Sequence, residues 1–282
     1  MSVLLLGASG FLGRHITGAL RASGHDVTTV GRSGSIDLVV DATNVGVLES
    51  VVRSVAPSSV INLLGAGLSD SNADIPVMEA VNIRFPADLA NLLANVAPQS
   101  HLIHAASSTE TPAADGSYES EYSRTKAAGT AALESAEIDL PITLLRVHNT
   151  YGGNQPTQRF VASVVDSLAD GRDIELRYPE RVRDFIHVDD VAEAFISAVG
   201  TSLGGRVTYE VGTGIGTSLA SVVRTVASIL DINGPLVFAE SAEDLHPRTV
   251  ASPDLLLRPA TVDLQSGLEM TVNQRLRRDE GI

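Results

Sequence analysis

The chain has 282 residues, 44% of them hydrophobic, enough to bury a substantial core in one large α/β domain or two interleaved ones. Its formal charge of −14 speaks against a nucleic-acid or anionic-membrane surface, and an anionic substrate has to meet local arginines. With no cysteine, disulfides, thiolate metal sites and a cysteine nucleophile are excluded; the histidines do not cluster, so no metal is expected, and a cytoplasmic setting is the expectation.

The apolar start Val3-Leu4-Leu5-Leu6 is too short to cross a membrane and runs straight into glycines, so it reads as a buried strand. It leads into Gly7-Ala8-Ser9-Gly10-Phe11-Leu12-Gly13, then a helix with Leu12, Ile16 and Leu20 on one face and a stop at Gly24. Glycines at 7, 10 and 13 let the backbone turn, approach a pyrophosphate and pack helix on sheet, while the helix N-terminus offers N–H groups to phosphates. Gly7, Ser9, Gly10, Phe11, Leu12, Gly13 and Arg14 are therefore expected cofactor contacts.

The strand Asp26 to Val30 ends in Gly31-Arg32-Ser33, where a site preferring NAD would carry an acid for the ribose 2′-hydroxyl. Gly31 leaves room for a 2′-phosphate and Arg32, seconded by Arg14, could pair with it, so NADP(H) is favoured and NAD(H) stays possible. A short strand at Leu38 to Val40 reaches Asp41, a candidate acceptor for the adenine amino group. A helix capped by Asn44 stops at Pro57, and Val60 to Leu64 is the next buried strand. It opens into Gly65-Ala66-Gly67, so Leu64, Gly65 and Ala66 could lie along a cofactor, with residues 68–76 a loop over the site.

A helix from Val77 to Val96 precedes the strand Leu102 to Ala106, which ends in Ser107-Ser108-Thr109. Strand C-termini of a parallel sheet face the ligand crevice, so a serine there can bond a substrate oxygen, although Ser-Ser-Thr is also ordinary capping chemistry. A polar loop, Glu110 to Ser117, leads to a helix from Tyr122 to about Glu137 and a strand from Ile142 to Val147. Five buried strands alternating with helices predict an α/β fold with a doubly wound parallel sheet.

On that helix Tyr122 and Lys126 stand at i and i+4, on one face. A lysine cation near a phenol favours phenolate and would draw the tyrosine pKa down from about 10 towards neutrality, as a general acid/base needs. Beyond His148 the rhythm changes: a helix from Phe160 to near Gly171, a strand at Ile174 to Leu176, and the string Arg181 to Asp190, where Asp189 reads as N-cap of a helix over Val191 to Val199. A strand at Val207 to Val211, Gly212-Thr213-Gly214, a helix capped near Ser218, Arg248, Arg258 and a last helix from about Val262 to Val272 complete the pattern.

Five motifs together resemble the extended short-chain dehydrogenase/reductase superfamily, in its NAD(P)-dependent nucleotide-sugar epimerase/dehydratase branch. They are Gly7-x-x-Gly10-x-x-Gly13; Ser107 before Tyr122-x-x-x-Lys126; Leu145-Arg146-x-x-Asn149-x-Tyr151-Gly152; Arg183-Asp184-Phe185-Ile186-His187-Val188-x-Asp190; and Tyr209-x-Val211-Gly212-Thr213-Gly214. The resemblance implies a dinucleotide-binding Rossmann domain at 1–148, to which 185–212 returns, and a smaller, mainly substrate-binding domain at 149–282. It makes Tyr122 the acid/base, Lys126 the residue that holds the nicotinamide ribose, and Ser107, with Ser108 beside it, the partner of the substrate oxygen. Asn149 and Arg183 would meet the diphosphate, with Arg248 a further substrate contact, and a homodimer through residues 85–96 and 119–137 is expected.

Departures narrow the reaction. The 4,6-dehydratases of this branch carry Asp-Glu where Ser108-Thr109 stand, and the 4-epimerases usually carry an acid where Gly31 stands. The chain looks more like the deoxysugar 4-ketoreductases. The expectation is NADPH-dependent reduction of a nucleotide-linked, dTDP-type 4-keto-6-deoxyhexose; an NAD-dependent nucleotide-sugar 4-epimerase and a non-catalytic NADP-binding regulator are the alternatives.

Overall fold

The computed structural model describes residues 1–67, 74–201, 204–233, 244–246 and 248–279. Its strands are β1 Ser2–Leu6, β2 Asp26–Gly31, β3 Leu38–Val39, β4 Ser59–Asn62, β5 His101–Ser107, β6 Ile142–Val147, β7 Asn149–Tyr151, β8 Val182–His187, β9 Arg206–Val211, β10 Gly216–Ser218 and β11 Arg248–Thr249. Its helices are α1 Phe11–Ala22, α2 Val45–Val55, α3 Ile75–Glu79, α4 Phe85–Val96, α5 Glu121–Ser135, α6 Phe160–Ala169, α7 Val188–Gly200, α8 Leu219–Ile229 and α9 Leu264–Asp279. A π turn at Ala80–Arg84 joins α3 to α4.

Seven strands form one parallel sheet in the order β3-β2-β1-β4-β5-β6-β9. Runs such as Val3-Leu4-Leu5-Leu6 are buried on both faces because helices cover both. Leu48 and Val52 of α2, Leu89 and Leu93 of α4 and Leu133 of α5 pack one side. Ile16 and Leu20 of α1 and Val191 and Phe195 of α7 pack the other. This is the doubly wound arrangement expected, and it leaves the C-terminal ends of β1, β4, β5 and β6 facing one crevice.

A second sheet is centred on β8, whose first half pairs with β10 and β11 and whose second half pairs with β7. Val164, Val165, Val222, Val226, Leu268 and Val272 of α6, α8 and α9 build a separate core with Phe185 of β8. No helix among the described residues is long and apolar enough to cross a membrane.

Three expectations change. Ile174–Leu176 is not a strand: Leu176 is buried in the third core, but among the described residues no strand pairs with this segment. Helix α7 begins at Val188, so its N-cap is His187, whose Nδ1 accepts from the Asp189 N–H at 3.3 Å, and Asp189 lies in the first turn. The last helix runs on to Asp279 because Arg275 is buried and pairs with Asp166, a polar anchor that apolar periodicity does not reveal. The loop expected at 68–76 lies mostly outside the described residues.

Candidate active site

Helix α5 carries Tyr122 and Lys126, and its seat is set by a close approach. A Cβ on Gly129 would collide with the carbonyl of Asn82 in the π turn, so only glycine lets the two backbones meet. Asn82 then ties the region together: its Oδ1 accepts from the Ala66 N–H, and its Nδ2 donates to the Ala66 carbonyl and to Thr125 Oγ1, each at 2.9 Å.

At the end of β5, Ser107 caps a short 3-10 turn over Ser108–Glu110. Glu110 Oε1 accepts from the Ser107 N–H at 2.7 Å, and the Ser107 and Thr109 hydroxyls lie 3.0 Å apart. The Ser107 and Tyr122 side chains line the same cleft. These groups open into a cavity of about 410 Å³ lined by Gly7, Gly10, Phe11, Leu12, Gly13, Leu64, Gly65, Ser107, Ser108, Thr109, Tyr122, Lys126, Asn149, Gln158 and Arg159. Among the described residues no Asp or Glu lines it, in a chain of charge −14, and Lys126 and Arg159 are its lysine and arginine side chains. A Cβ on Gly13 would overlap the Gly7 carbonyl oxygen, so the turn closes as tightly as a pyrophosphate cradle requires.

The electrostatics overturn one expectation. Burial pushes the Tyr122 phenol up to about 12, not down; the Arg159 guanidinium opposes the shift, Glu110 adds to it and the Ser107 hydroxyl opposes it. Lys126 is not among those causes; its Nζ donates to the Ala105 carbonyl at 2.7 Å and lies 3.3 Å from His104 Nε2. Burial holds the Lys126 pKa below the ordinary lysine value, with Glu110 opposing, and burial raises the Glu110 carboxyl against the pull of Lys126. The desolvated phenol at the cleft therefore stays protonated at neutral pH.

Several expected contacts stand outside the cavity lining. The Ser9 carbonyl accepts from Arg14 Nη1 at 2.6 Å, and Arg14 and Arg32 are exposed. Asp41 is exposed and accepts from the Thr43 N–H at 3.0 Å and hydroxyl at 2.7 Å; those bonds, with Arg32 nearby, hold its carboxyl below the usual range. The Ala66 backbone is engaged by Asn82. The room expected over Gly31 is filled: a Cβ there would lie 3.0 Å from Ile36 Cδ1 and 3.2 Å from Ser9 Oγ, so a 2′-phosphate has to be met at the rim.

Arg183 is buried and committed. Its Nη1 donates to the carbonyls of Val182 and His246, and its Nη2 to Glu119. Arg181 joins Glu119 at 2.5 Å and also pairs with Asp244. Arg248 is exposed on β11.

Sequence reasoning missed Arg159, Glu110, His104 and Asn62. Two signals were on the page: Ser107-x-x-Glu110 has capping-box spacing, and Lys126 is the only lysine in a chain with 19 arginines. Lys differs from Arg in offering a compact amine whose charge can change.

The sequence profile of the NAD dependent epimerase/dehydratase family matches residues 3–212. The chain belongs to that family. It is 28% identical over 277 residues to UDP-glucose 4-epimerase of Mycolicibacterium smegmatis, covering 88% of this chain and 86% of that one. It is 21% identical over 238 residues to CDP-abequose synthase of Salmonella muenchen, covering 79% of each. Among solved structures, MoeE5 in complex with UDP-glucuronic acid and NAD superposes with a TM-score of 0.85 at 23% identity, over 99% of this chain and all of that one, which shows the shared Rossmann-type fold.

Proposed function

We propose that this protein reduces the 4-keto group of a nucleotide-linked 4-keto-6-deoxyhexose, the nucleotide being dTDP in the first instance, with NADPH as reductant. One observation carries the reading: Ser107, Tyr122 and the Gly7–Gly13 turn meet at one cleft, where the phenol is desolvated and protonated. A reductase needs a resting proton donor, whereas an epimerase begins by taking a proton from the sugar hydroxyl.

The cradle at Gly7, Gly10 and Gly13 suits a dinucleotide pyrophosphate, and when bound the cofactor supplies hydride to the carbonyl carbon. Ser107 holds the carbonyl oxygen, Tyr122 donates its phenolic proton to that oxygen as negative charge builds there, and Arg159 stabilises the phenolate left behind. Lys126 holds the nicotinamide ribose, Arg14 and Arg32 meet a 2′-phosphate from the rim, and Asn149 and Arg183 serve the diphosphate. Residues 1–148 with 185–212 form the cofactor half, 149–282 mainly the substrate half, and two copies pair through α4 and α5. Dehydration is disfavoured because Ser108 and Thr109 stand where an acid pair is needed, and Glu110, which follows them, accepts from the Ser107 backbone N–H.

A second reading, an NAD-dependent nucleotide-sugar 4-epimerase, draws on the 28% identity to the M. smegmatis enzyme. Isothermal titration with NADPH and NADH, each with and without dTDP, after assay for co-purified cofactor, separates the two. Exchangeable NADPH binding strengthened by dTDP supports the reductase; retained NAD with no phosphate preference supports the epimerase.

A further inference from the structure

Beneath the cleft, groups from β4, β5 and α5 form one line of polar contacts ending at Lys126. The Leu64 N–H donates to Asn62 Oδ1 at 3.1 Å, and Asn62 Nδ2 lies 3.1 Å from His104 Nδ1. His104 Nε2 lies 3.3 Å from Lys126 Nζ, which donates to the Ala105 carbonyl at 2.7 Å. Asn62, His104 and Lys126 are all buried, at 0%, 1% and 3% exposure, so these contacts must satisfy one another.

The direction of every bond follows from the first donor. A backbone N–H can only donate, so it fixes the Asn62 amide with its oxygen towards Leu64 and its NH2 towards His104. An NH2 facing Nδ1 requires Nδ1 to accept, which excludes the imidazolium and the Nδ1–H tautomer. The ring proton then sits on Nε2, pointing at Lys126. An ammonium has donors only, and two donors would oppose each other in a buried site. As a neutral amine, Nζ accepts from Nε2–H with its lone pair while still donating to Ala105.

We propose that His104 is a positioning residue that holds Lys126 as a neutral amine in the cofactor-free protein, and that cofactor binding at Lys126 is coupled to uptake of a proton from solvent. The second half rests on the cofactor reading above; the first does not. The proton balance is simple: the amine takes up one proton, the resulting ammonium leaves His104 Nε2–H for the ribose hydroxyl as its acceptor, and no other group changes charge. The groups facing Lys126 are His104 and the Ala105 carbonyl from β5 and Glu110 from the following turn, with Tyr122 one turn earlier on its own helix. Glu110 and the Ala105 carbonyl are the groups among them that favour the ammonium; Glu110 Oε1 accepts from the Ser107 N–H, and the carbonyl also accepts from a neutral amine. Burial likewise keeps His104 neutral, well below the usual imidazole range, with Lys126 a lesser cause.

Because Lys126 is the sole lysine, protein labelled with 15N,13C-lysine shows a single side-chain signal, and 15N-histidine labelling reports the His104 tautomer. In the cofactor-free full chain at neutral pH, the expected result is an amine-type Nζ shift and an Nε2–H His104. An ammonium Nζ, or an Nδ1–H ring, overturns the proposal. Asn62→Asp offers His104 a carboxylate oxygen in place of the NH2, so it is expected to move the ring proton to Nδ1 and Lys126 to the ammonium with the fold intact; an unmoved Lys126 beside an Nδ1–H ring would contradict the linkage. Calorimetric titration with NADPH in buffers of different ionisation enthalpy should then show uptake of a proton by the wild type and none by Asn62→Asp, with affinity falling as pH rises only in the former. Equal proton uptake by both overturns the coupling, whereas absence of NADPH binding would count against the cofactor reading and leave the resonance result to decide the lysine.

Discussion

Both carboxylate oxygens of Glu119 lie 3.2 Å from the same nitrogen of the buried Arg183 guanidinium. Glu119 also neutralises Arg181, and it sits one turn before Tyr122 in the chain. A substrate diphosphate that uses Arg183 therefore competes with a carboxylate already in place.

Replacing that carboxylate tests the competition. Glu119→Gln should tighten binding of a nucleoside diphosphate about 2–10-fold, the worth of one modest hydrogen bond, and lower KM with kcat unchanged. Unchanged or weaker binding would mean that Arg183 serves the fold and not the ligand.

Tyr122→Phe removes the donated proton and little else. The turnover number should fall by about 10²–10⁴, while the NADPH dissociation constant measured by calorimetry stays within experimental scatter. A variant that keeps most of its turnover would remove the phenol from the mechanism.

Arg32→Ala bears on cofactor choice. If Arg32 meets the 2′-phosphate, NADPH binding weakens by about 1.5–3 kcal/mol, the worth of a charge-assisted bond, and NADH binding does not change. Parallel losses for both cofactors would point to a general loosening of the rim.

Gly129→Ala places a methyl group against the Asn82 carbonyl. Denaturant titration should show a loss of about 1–3 kcal/mol, with a further loss of activity, because α5 must back away and carry Tyr122 with it. A variant as stable and active as the wild type would show that the helix has room.

Glu110 gives a pH signature. Its folded pKa lies above its unfolded value, so ionising it costs the folded state; the cost is absent below the ordinary value of 4.5 and present in full above the raised one. Glu110→Gln keeps an acceptor for the Ser107 N–H and removes the charge. Thermal unfolding should show a stabilised variant at neutral pH whose advantage disappears as the pH approaches 4.5. An advantage constant with pH would assign the effect to packing.

Much of the Rossmann half was legible because its strands are short all-apolar runs between glycine and proline stops, and because Gly7, Ser107, Tyr122 and Lys126 keep fixed places on that frame. The small sheet was not legible: β7, β10 and β11 are two or three residues long, too short to show alternation, and β8 hides in a charged string. The electrostatic sense of the site also escaped. Spacing put Tyr122 and Lys126 on one face, but only the three-dimensional packing shows that the lysine reaches His104 of β5 while Arg159, from a distant segment, becomes the cation beside the phenol.

The most direct test of the central claim is incubation of the protein with NADPH carrying deuterium at the nicotinamide C4 and a dTDP-4-keto-6-deoxyhexose, followed by mass and magnetic-resonance analysis of the sugar. The account predicts stoichiometric NADPH consumption and a product hydroxyl whose C4 carries the label. No consumption with that substrate, together with interconversion of UDP-glucose and its 4-epimer without incorporation of label, would contradict it.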